Sequence, residues 1–294
     1  MVKTYFMLFF ACAIWGFQPA CVKLLVAEWP PAAMIVVRYA IIALMWFAAA
    51  WHAEGKNIMP HKEDWKWLIS MGFLGILLNN VLQFTGLQYT TVTNCTLISA
   101  TQPAVTACIA FFLIRERLSL AKWIGIFISF GGVFAVVSGG SLEVIRQINF
   151  NTGDMLCLAA QLSWAAYSFL SLRVMKDLSV EATTFWFCLF GGIMTAVYGA
   201  GSGTLQFVPL SPGALISFLY IVFLGGFCSL FFYNVGVKNA GPSVAAIFLN
   251  IMPVVGIFSG FMMFDDYIGP AQMGGAAAII AGVFMTTHHW KHPV

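Results

Sequence analysis

The sequence predicts an all-α integral membrane protein with ten transmembrane helices, arranged as two inverted-topology repeats of five helices each. Hydrophobic residues make up 61% of the 294-residue chain and charged residues only 9%. Soluble domains carry roughly 25% charged residues, so a single water-soluble core could not hide this many apolar side chains. Two further observations support the prediction: ten apolar segments long enough to cross a bilayer, and a sequence plan that returns in the second half.

Ten apolar segments have the length of a transmembrane helix, which needs about 20 residues to cross the hydrocarbon layer. They lie at residues 4–26, 30–51, 65–87, 91–113, 121–139, 153–175, 181–200, 212–236, 241–264 and 269–288. A helix satisfies its backbone polar groups within the segment, as the lipid interior requires. The first segment has no basic stretch followed by a short apolar run and a cleavage site, so we interpret it as a helix of the mature protein.

An offset of 150 residues superposes the two halves of the chain without a gap. The matches are Gly86 with Gly236, Pro103 with Pro253, Phe111 with Phe261, Gly125 with Gly275, Gly132 with Gly282 and Phe134 with Phe284. Matched Gly and Pro residues concern backbone shape, which chance agreement explains poorly. We therefore predict one repeat at 1–140, a periplasmic linker at 141–152 and a second repeat at 153–294.

The distribution of basic residues predicts the orientation of the chain, because short cytoplasmic loops are rich in Lys and Arg. With the amino terminus inside, the cytoplasmic segments hold Lys3, Lys56, Lys62, Lys66, Arg115, Arg117, Lys122, Arg173, Lys176, Lys238 and Lys291. Both termini are therefore predicted to be cytoplasmic.

The charge bias changes side between the halves. The loops after predicted helices 2 and 4 are basic, whereas those after helices 7 and 9 have no Lys or Arg, and the latter carries Asp265-Asp266. Five spans per repeat also place the second copy upside down in the bilayer. Inverted repeats are typical of secondary transporters, which bind substrate at the repeat interface near the midplane and rock one half against the other.

Polar and aromatic side chains within the spans are the candidate substrate site. Trp15 and Gln18 share a helix face, and Trp164 and Tyr167 repeat that pair at an offset of 149. The candidate substrate-binding residues are Trp15, Gln18, Asn79, Gln83, Asn94, Gln102, Trp164, Tyr167, Tyr233, Asn234 and Asn250. Amides are costly in hydrocarbon without a partner, so a shared polar cavity explains their concentration. Taken singly, each could instead pack or hydrogen-bond between helices.

Arg38 is the clear intramembrane charge of the sequence, within predicted helix 2. A charge at that depth costs a few kcal/mol unless it is paired or hydrated. It could bind an anionic group such as a substrate carboxylate, or cap carbonyls of a broken helix. We favour the second interpretation, a gating or structural charge.

Several kinds of chemistry are not indicated. No His lies within a span, no Asp or Glu lies near a predicted midplane, and no Gly-Lys-Ser/Thr phosphate loop occurs. We therefore expect no enzyme activity, no ATP-driven pumping, no cofactor, no metal site and no nucleic-acid partner. The seven cysteines fall within spans without CxxC spacing and are interpreted as apolar core residues.

Small residues at four-residue spacing let helix backbones approach closely. Such rows occur at Gly256 and Gly260, and at Gly274, Ala278 and Gly282. We interpret them as packing within the helix bundle, which favours a monomer over a homodimer. The expected partners are the lipid bilayer and a small-molecule substrate.

Motifs along nearly the whole chain resemble the drug/metabolite transporter superfamily, in particular its EamA-type members with two five-helix repeats. They include Trp15-Gly16, Lys23-Leu24, Pro30-Pro31, Arg38, Leu87-Gln88-Tyr89-Thr90, Gln102-Pro103, Arg115-Glu116-Arg117-Leu118-Ser119, Gly153-Asp154, Trp164-Ala165-Ala166-Tyr167-Ser168, Tyr233-Asn234, Pro253 and Gly282. The family's second Glu-Arg turn is replaced by Asp266-Tyr267. The resemblance implies an inner-membrane exporter of amino acids or other small metabolites.

Two alternatives remain at this stage. The first is a multidrug or toxic-compound efflux carrier, although small cation-exporting relatives use a buried Glu in the first helix that this chain does not have. The second is a membrane scaffold or receptor, which predicts a midplane packed with side chains and no cavity.

Overall fold

The computed structural model describes residues 2–25, 27–89, 98–99, 101–114, 119–146, 151–264 and 269–288. The described ranges contain a 3₁₀ turn at Gly55–Ile58, a five-residue helix at Leu142–Arg146 and no β-strand. Ten longer helices follow one another in them. They are α1 (Val2–Leu25), α2 (Pro31–Glu54), α3 (Trp65–Gly72, Phe73–Leu78 and Asn79–Tyr89), α4 (Gln102–Ile114), α5 (Leu120–Ser138), α6 (Thr152–Val174), α7 (Val180–Gly201), α8 (Pro212–Val222, Phe223–Cys228 and Ser229–Ala240), α9 (Pro242–Phe248 and Ile251–Phe264) and α10 (Pro270–His288). The predicted all-α membrane fold of ten helices is confirmed.

Local sequence sets several helix ends. Ser119, Ser179 and Ser211 precede α5, α7 and α8, and each side chain accepts a hydrogen bond from a backbone N–H in the first turn. At α6, Asn151 and Asp154 form a reciprocal capping box, with the Asn151 N–H donating to Asp154 Oδ2 at 2.8 Å. Asp154 is therefore a capping residue of α6.

Helices α3 and α8 each contain a π-helical segment in the middle. The segments are Phe73–Leu78 and Phe223–Cys228, and they stand at the 150-residue offset of the sequence repeat. Such segments widen one turn of a helix and occur often at functional sites. The repeat therefore preserves an irregular backbone feature as well as the positions of Gly and Pro.

Helix α9 is broken where the sequence analysis expects one continuous span at 241–264. Its two parts meet at a turn over Leu249 and Asn250, just before Pro253. Because Pro253 has no N–H, it leaves the carbonyl of Leu249 without its usual helical partner. The backbone turns at that point.

Two helix pairs show that the repeats are inverted. Helices α5 and α10 are equivalent in the repeat: a Cβ atom at Gly132 would lie 2.6 Å from Gly275 O, and one at Gly282 would lie 2.5 Å from Gly125 O. Residue numbers rise along one helix as they fall along the other, so the equivalent helices run antiparallel.

Helices α2 and α7 form the second equivalent pair. A Cβ atom at Gly192 would lie 3.5 Å from the Tyr39 side chain, and one at Gly199 would lie 3.3 Å from that of Ala32. This pair is therefore antiparallel as well. Two equivalent helices can run in opposite directions only if the second repeat is turned over relative to the first, as predicted.

Candidate functional site

Four aromatic rings meet at the interface between the two repeats. Trp15 lies on α1, Trp164 and Tyr167 on α6, and Tyr233 on α8. The Trp15 ring is 5.6 Å from Trp164 and 5.3 Å from Tyr233, and Trp164 is 5.5 Å from Tyr233 and 4.9 Å from Tyr167. We call these four residues the ring cluster. The structure thus brings together all four aromatic residues that the sequence analysis singled out.

Hydrogen bonds connect the ring cluster to polar side chains of α7 and α8. Tyr167 donates its hydroxyl to Asn234 Oδ1 at 2.6 Å, and Asn234 Nδ2 donates to Thr184 Oγ1 at 3.0 Å. Tyr233 OH accepts from Trp164 Nε1 at 3.3 Å and lies 3.3 Å from Ser168 Oγ. Tyr167, Tyr233 and Asn234 are completely buried. The polar tips of the rings therefore have partners, as buried polar groups require.

Gln18 and Arg38 form the polar edge of the ring cluster on the side of the first repeat. Arg38 Nη2 donates to Gln18 Oε1 at 3.1 Å, and the guanidinium also lies 5.3 Å from the Tyr39 ring. Trp15 Nε1 donates to the carbonyl oxygen of Gly225 at 2.7 Å. A Cβ atom on Gly225 would lie 2.6 Å from Gln18 Oε1, so the missing side chain makes room for this group.

The equivalent niche, which lies beside Gly75, is lined by aromatic side chains. Gly75, which matches Gly225 at the 150-residue offset, lies against Tyr167 and Phe187. Gly225 lies against Gln18 and Arg38, which correspond to those two residues at an offset of 149. The two glycines thus form equivalent backbone niches, one occupied by polar and charged side chains and the other by aromatic ones.

Asn79 and Gln83 lie on α3, the helix that packs against α6. Asn79 Nδ2 donates to the backbone oxygen of Ala160 at 2.9 Å, which joins the two helices. Gln83 is half-buried. Two polar residues outside the predicted set behave similarly: Gln161 Nε2 donates to Ser99 Oγ at 3.1 Å.

Gln102 and Asn250 are buried and bind groups outside the ring cluster. Gln102 Nε2 donates to Thr106 Oγ1 of its own helix at 3.2 Å. Asn250 Nδ2 donates to Ser129 Oγ of α5 at 2.8 Å, at the turn inside α9. Their oxygens, Gln102 Oε1 and Asn250 Oδ1, have no hydrogen-bond partner in the part of the chain that the structure describes. The predicted residue Asn94 lies outside the described residues, as do Arg115, Asp265 and Asp266.

The centre of the ring cluster is filled by the rings themselves. Two concavities of the described chain lie elsewhere: one of about 330 Å³ between the α2–α3 and α6–α7 loops, and an apolar one of about 370 Å³ beside Phe47 and Trp51. No group of three or more His, Cys, Asp or Glu side chains that could hold a metal occurs in the described part. The cluster is an aromatic core with polar edges, and its member Trp164 is partly exposed.

The two ends of the molecule differ in how the loops between helices meet. At one end, the α1–α2 loop is bound to the start of α8: Ser211 donates from Oγ to Glu28 Oε1 at 2.6 Å and from its N–H to Glu28 Oε2 at 2.8 Å. Beside this pair, Trp29 Nε1 donates to Val208 O at 2.7 Å. We call this contact set the Glu28 latch.

At the opposite end, the residues equivalent to Glu28 and Ser211 form no such bond to each other within the described part of the chain. Glu28 corresponds to Asp177 at an offset of 149, and Ser211 corresponds to His61 at 150. Asp177 pairs with Arg173 of its own chain segment at 2.7 Å, and His61 and Asp177 line the concavity of about 330 Å³. A tether remains there, since Trp186 Nε1 donates to Ile58 O at 2.8 Å.

Sequence reasoning missed Ser168, Thr184 and Phe187, and the role of the two glycines of the π-helical segments. Gly75 and Gly225 could have been found from their alignment at the 150-residue offset. Ser168 and Thr184 carry no such signal, because a hydroxyl residue in a span often bonds its own helix; Thr184 does so as well, to Val180 O at 2.6 Å.

Comparisons with known proteins agree with this architecture. The EamA-like transporter family matches residues 2–138 and 151–288. The transporter YyaM of Bacillus subtilis, which is named uncharacterized, is 27% identical over 264 residues, covering 89% of this chain and 86% of its own. An uncharacterized transporter of Archaeoglobus fulgidus is 26% identical and covers 97% of both chains.

Two further similarities bear on location and fold. The uncharacterized inner membrane transporter YedA of Escherichia coli K12 is 23% identical over 285 residues, covering 95% of this chain and 89% of its own. A crystal structure with 16% sequence identity superposes with a TM-score of 0.81 over 98% of this chain and 97% of that one. This multi-pass membrane protein, with two matched halves and a shared ten-helix fold, belongs to the EamA-like transporter family.

Proposed function

We propose that this membrane transporter exports amino acids or similar small amphipathic metabolites by alternating access. The observation that carries the proposal is the ring cluster: Trp15 comes from the first repeat and Trp164, Tyr167 and Tyr233 from the second. Rings offer apolar surface, and their hydroxyl, indole and amide neighbours offer hydrogen bonds. Together they suit a solute with one apolar part and one polar part.

A solute can enter this site only when the rings separate. Trp15 contacts the second repeat through the rings of Trp164 and Tyr233 and through its indole bond to Gly225 O. Such contacts can be exchanged for contacts with a solute, because an aromatic ring of the solute can replace a protein ring. We infer that the packed rings are the substrate-free form of the site, before a solute separates them.

The difference between the two ends of the molecule supports alternating access. The Glu28 latch is made, whereas its repeat equivalents Asp177 and His61 face a concavity. If the basic loops are cytoplasmic, as the sequence predicts, this form is shut toward the periplasm and open toward the cytoplasm. An exporter loads its substrate from that side.

Charge argues for amino acids over cationic drugs. The buried charge beside the ring cluster is Arg38, which is 5% exposed and would repel a cation. The buried acids of the described chain, Asp64 and Asp154, lie at the starts of α3 and α6. Cells expressing the protein should therefore gain tolerance of toxic amino-acid analogues rather than of toxic cations.

Counterflow in proteoliposomes tests the function directly. Vesicles holding the purified protein and a mixture of unlabelled amino acids should accumulate the labelled form of the solute that is carried. Trp164→Ala and Asn79→Ala should slow this uptake at least tenfold, since each removes a contact at the repeat interface. The matched control is Trp51→Ala, because that tryptophan is 50% exposed and lies away from the ring cluster.

The outcomes separate the alternatives. Uptake of amino acids by the parent and the control, and not by the two site variants, supports the proposal. Folded Trp164→Ala and Asn79→Ala proteins that transport like the parent would remove both residues from the site. A folded parent that exchanges none of the solutes in a metabolite-wide screen would favour the scaffold or receptor alternative.

A further inference from the structure

We propose that Arg38 binds the carboxylate of the transported solute through the edge of its guanidinium that carries Nε and Nη2. This inference rests on the proposed function, because it names the chemical class that the site of the transporter takes. It assigns a substrate-binding role to a residue for which the sequence favoured a gating or structural role.

Arg38 is a buried charge: the residue is 5% exposed, and among the described side chains no ion pair involves it. Its Nε is a buried donor that has no hydrogen-bond partner among the described residues. A buried, unpaired cation is costly, and an anion that reaches it removes much of that cost.

The edge of the Arg38 guanidinium that carries Nε and Nη2 has the geometry of a carboxylate site. An arginine presents parallel N–H groups that match the two oxygens of a carboxylate. Here Nη2 donates to the neutral oxygen Oε1 of Gln18 at 3.1 Å, while Nε has no acceptor within the described part of the chain. Gln18 thus fills one half of a two-point anion site with a weaker acceptor. A carboxylate that displaces this oxygen can engage both Nε and Nη2.

Gly225 and the ring cluster lie beside this edge of Arg38. Gly225 brings only hydrogen to this edge: a Cβ atom there would lie 3.7 Å from Arg38 Nη2. Trp15 reaches the same glycine through its indole bond to Gly225 O, and the Trp164 ring packs 5.6 Å from that of Trp15. At the matching niche beside Gly75, Phe187 stands in place of the arginine and Tyr167 in place of the glutamine. The site therefore has one cationic end and one aromatic end, which suits a monocarboxylate with an apolar tail.

Ligand-induced thermal shifts of the purified full chain in neutral detergent test the assignment. The probes are a panel of monocarboxylates with apolar tails, amino acids included, each paired with its primary amide. We expect acids to stabilise the parent at concentrations about thirtyfold below their amides, the effect of removing one partner from a buried charge pair. Inorganic phosphate should give no shift, which separates a carboxylate site from a general anion site.

Two variants locate the effect. Arg38→Lys keeps the charge but cannot make the two-point contact, so the preference for acids over amides should disappear. Gln18→Glu supplies a carboxylate from the protein itself; it should raise the melting temperature and abolish the acid-specific shift. Arg146→Lys and Gln272→Glu are the matched controls, because Arg146 is exposed and Gln272 accepts a bond from the Gly269 N–H at the start of α10.

The thermal shifts and counterflow together decide whether Arg38 binds the carboxylate. Loss of the acid preference in both variants and its retention in both controls supports the proposal, and Gln18→Glu still tests it if Arg38→Lys does not fold. A parent without any acid preference, equal shifts by phosphate, or a Gln18→Glu protein that keeps the preference would overturn it. Counterflow of amides without acid preference would leave transport intact and remove this role of Arg38. Acid-specific binding without counterflow would keep this role of Arg38 and contradict the proposed transport.

Discussion

Glu28 and Ser211 are joined by two hydrogen bonds across 183 residues, one from the serine hydroxyl at 2.6 Å and one from its backbone N–H at 2.8 Å. Ser211 is also the N-cap of α8, where its hydroxyl oxygen accepts from the Ala214 N–H at 3.3 Å. One serine thus starts a helix and binds the loop between α1 and α2.

The Glu28 latch should make the closed end of the molecule sensitive to acid. The side-chain and backbone hydrogen bonds from Ser211 lower the pKa of the Glu28 carboxyl below its ordinary value of 4.5. Because the pKa is lowered in the latched form, the latch stabilises that form fully above about pH 4.5. The stabilisation is lost as pH falls through the lowered pKa.

Thermal unfolding at pH 7 and at pH 4 checks this expectation. The parent should lose more melting temperature between the two values than Glu28→Gln does, because the variant has no carboxylate to protonate there. Glu54→Gln, at the end of α2, is the control and should behave like the parent. Equal losses in the parent and Glu28→Gln would show that the latch does not titrate.

The antiparallel contact of α5 and α10 should tolerate no side chain at its crossing points. Gly275→Ala places a methyl group 2.6 Å from Gly132 O, and overpacking of this kind costs about 1–3 kcal/mol. Gly274→Ala is a matched neighbour, since nothing lies within 4 Å of its Cβ position, and should be neutral or stabilising by up to about 1 kcal/mol. Unfolding in denaturant measures both. Equal stabilities would contradict the close approach of the two equivalent helices.

The hydroxyl of Tyr167 should matter for stability as well as for the site. Tyr167→Phe leaves the buried Asn234 Oδ1 without its donor, which costs about 1–3 kcal/mol. Tyr198→Phe, at a position 44% exposed on α7, should change stability by less than about 0.5 kcal/mol. A parent-like unfolding free energy for Tyr167→Phe would mean that Asn234 finds another donor.

Inverted repeats predict opposite sidedness for equivalent positions. His61 and Ser211 are both exposed and stand 150 residues apart. In a protein whose native cysteines are replaced, His61→Cys should react with an impermeant thiol reagent from the cytoplasm and Ser211→Cys from the periplasm. Arg115→Cys should likewise react from the cytoplasm and Asp265→Cys from the periplasm; both positions lie outside the described residues. Labelling of both members of a pair from one side would contradict the orientation.

The sequence predicted most of the fold because its strongest signals are local. Apolar length alone placed the seventh span at 181–200, where the structure has Val180–Gly201, and the eighth at 212–236, where it has Pro212–Ala240. The offset that matches Gly132 with Gly282 predicted the duplication. Five spans per repeat and the change in charge bias predicted that the second repeat is inverted.

The aromatic half of the candidate site was also predictable, whereas the polar half was not. Helical spacing tells which residues share a face, so Trp15 and Trp164 could be recognised as equivalent from the sequence. It does not tell which residue of another helix faces them. The amides that seemed to form one set bind different partners: Asn79 binds the α6 backbone, and Asn250 binds Ser129 of α5.

By itself, the sequence determined the solvent, the number of spans and the duplication, since each follows from composition or periodicity along one segment. Only the tertiary structure decided that Arg38 donates to Gln18 and pairs with no acid of the described residues, and that Glu28 binds Ser211 while Asp177 pairs with Arg173. The physical reason is that a pairing energy depends on distances between helices far apart in the chain. Those distances are set by how the two repeats pack, and glycines such as Gly225 and Gly275 allow that close packing.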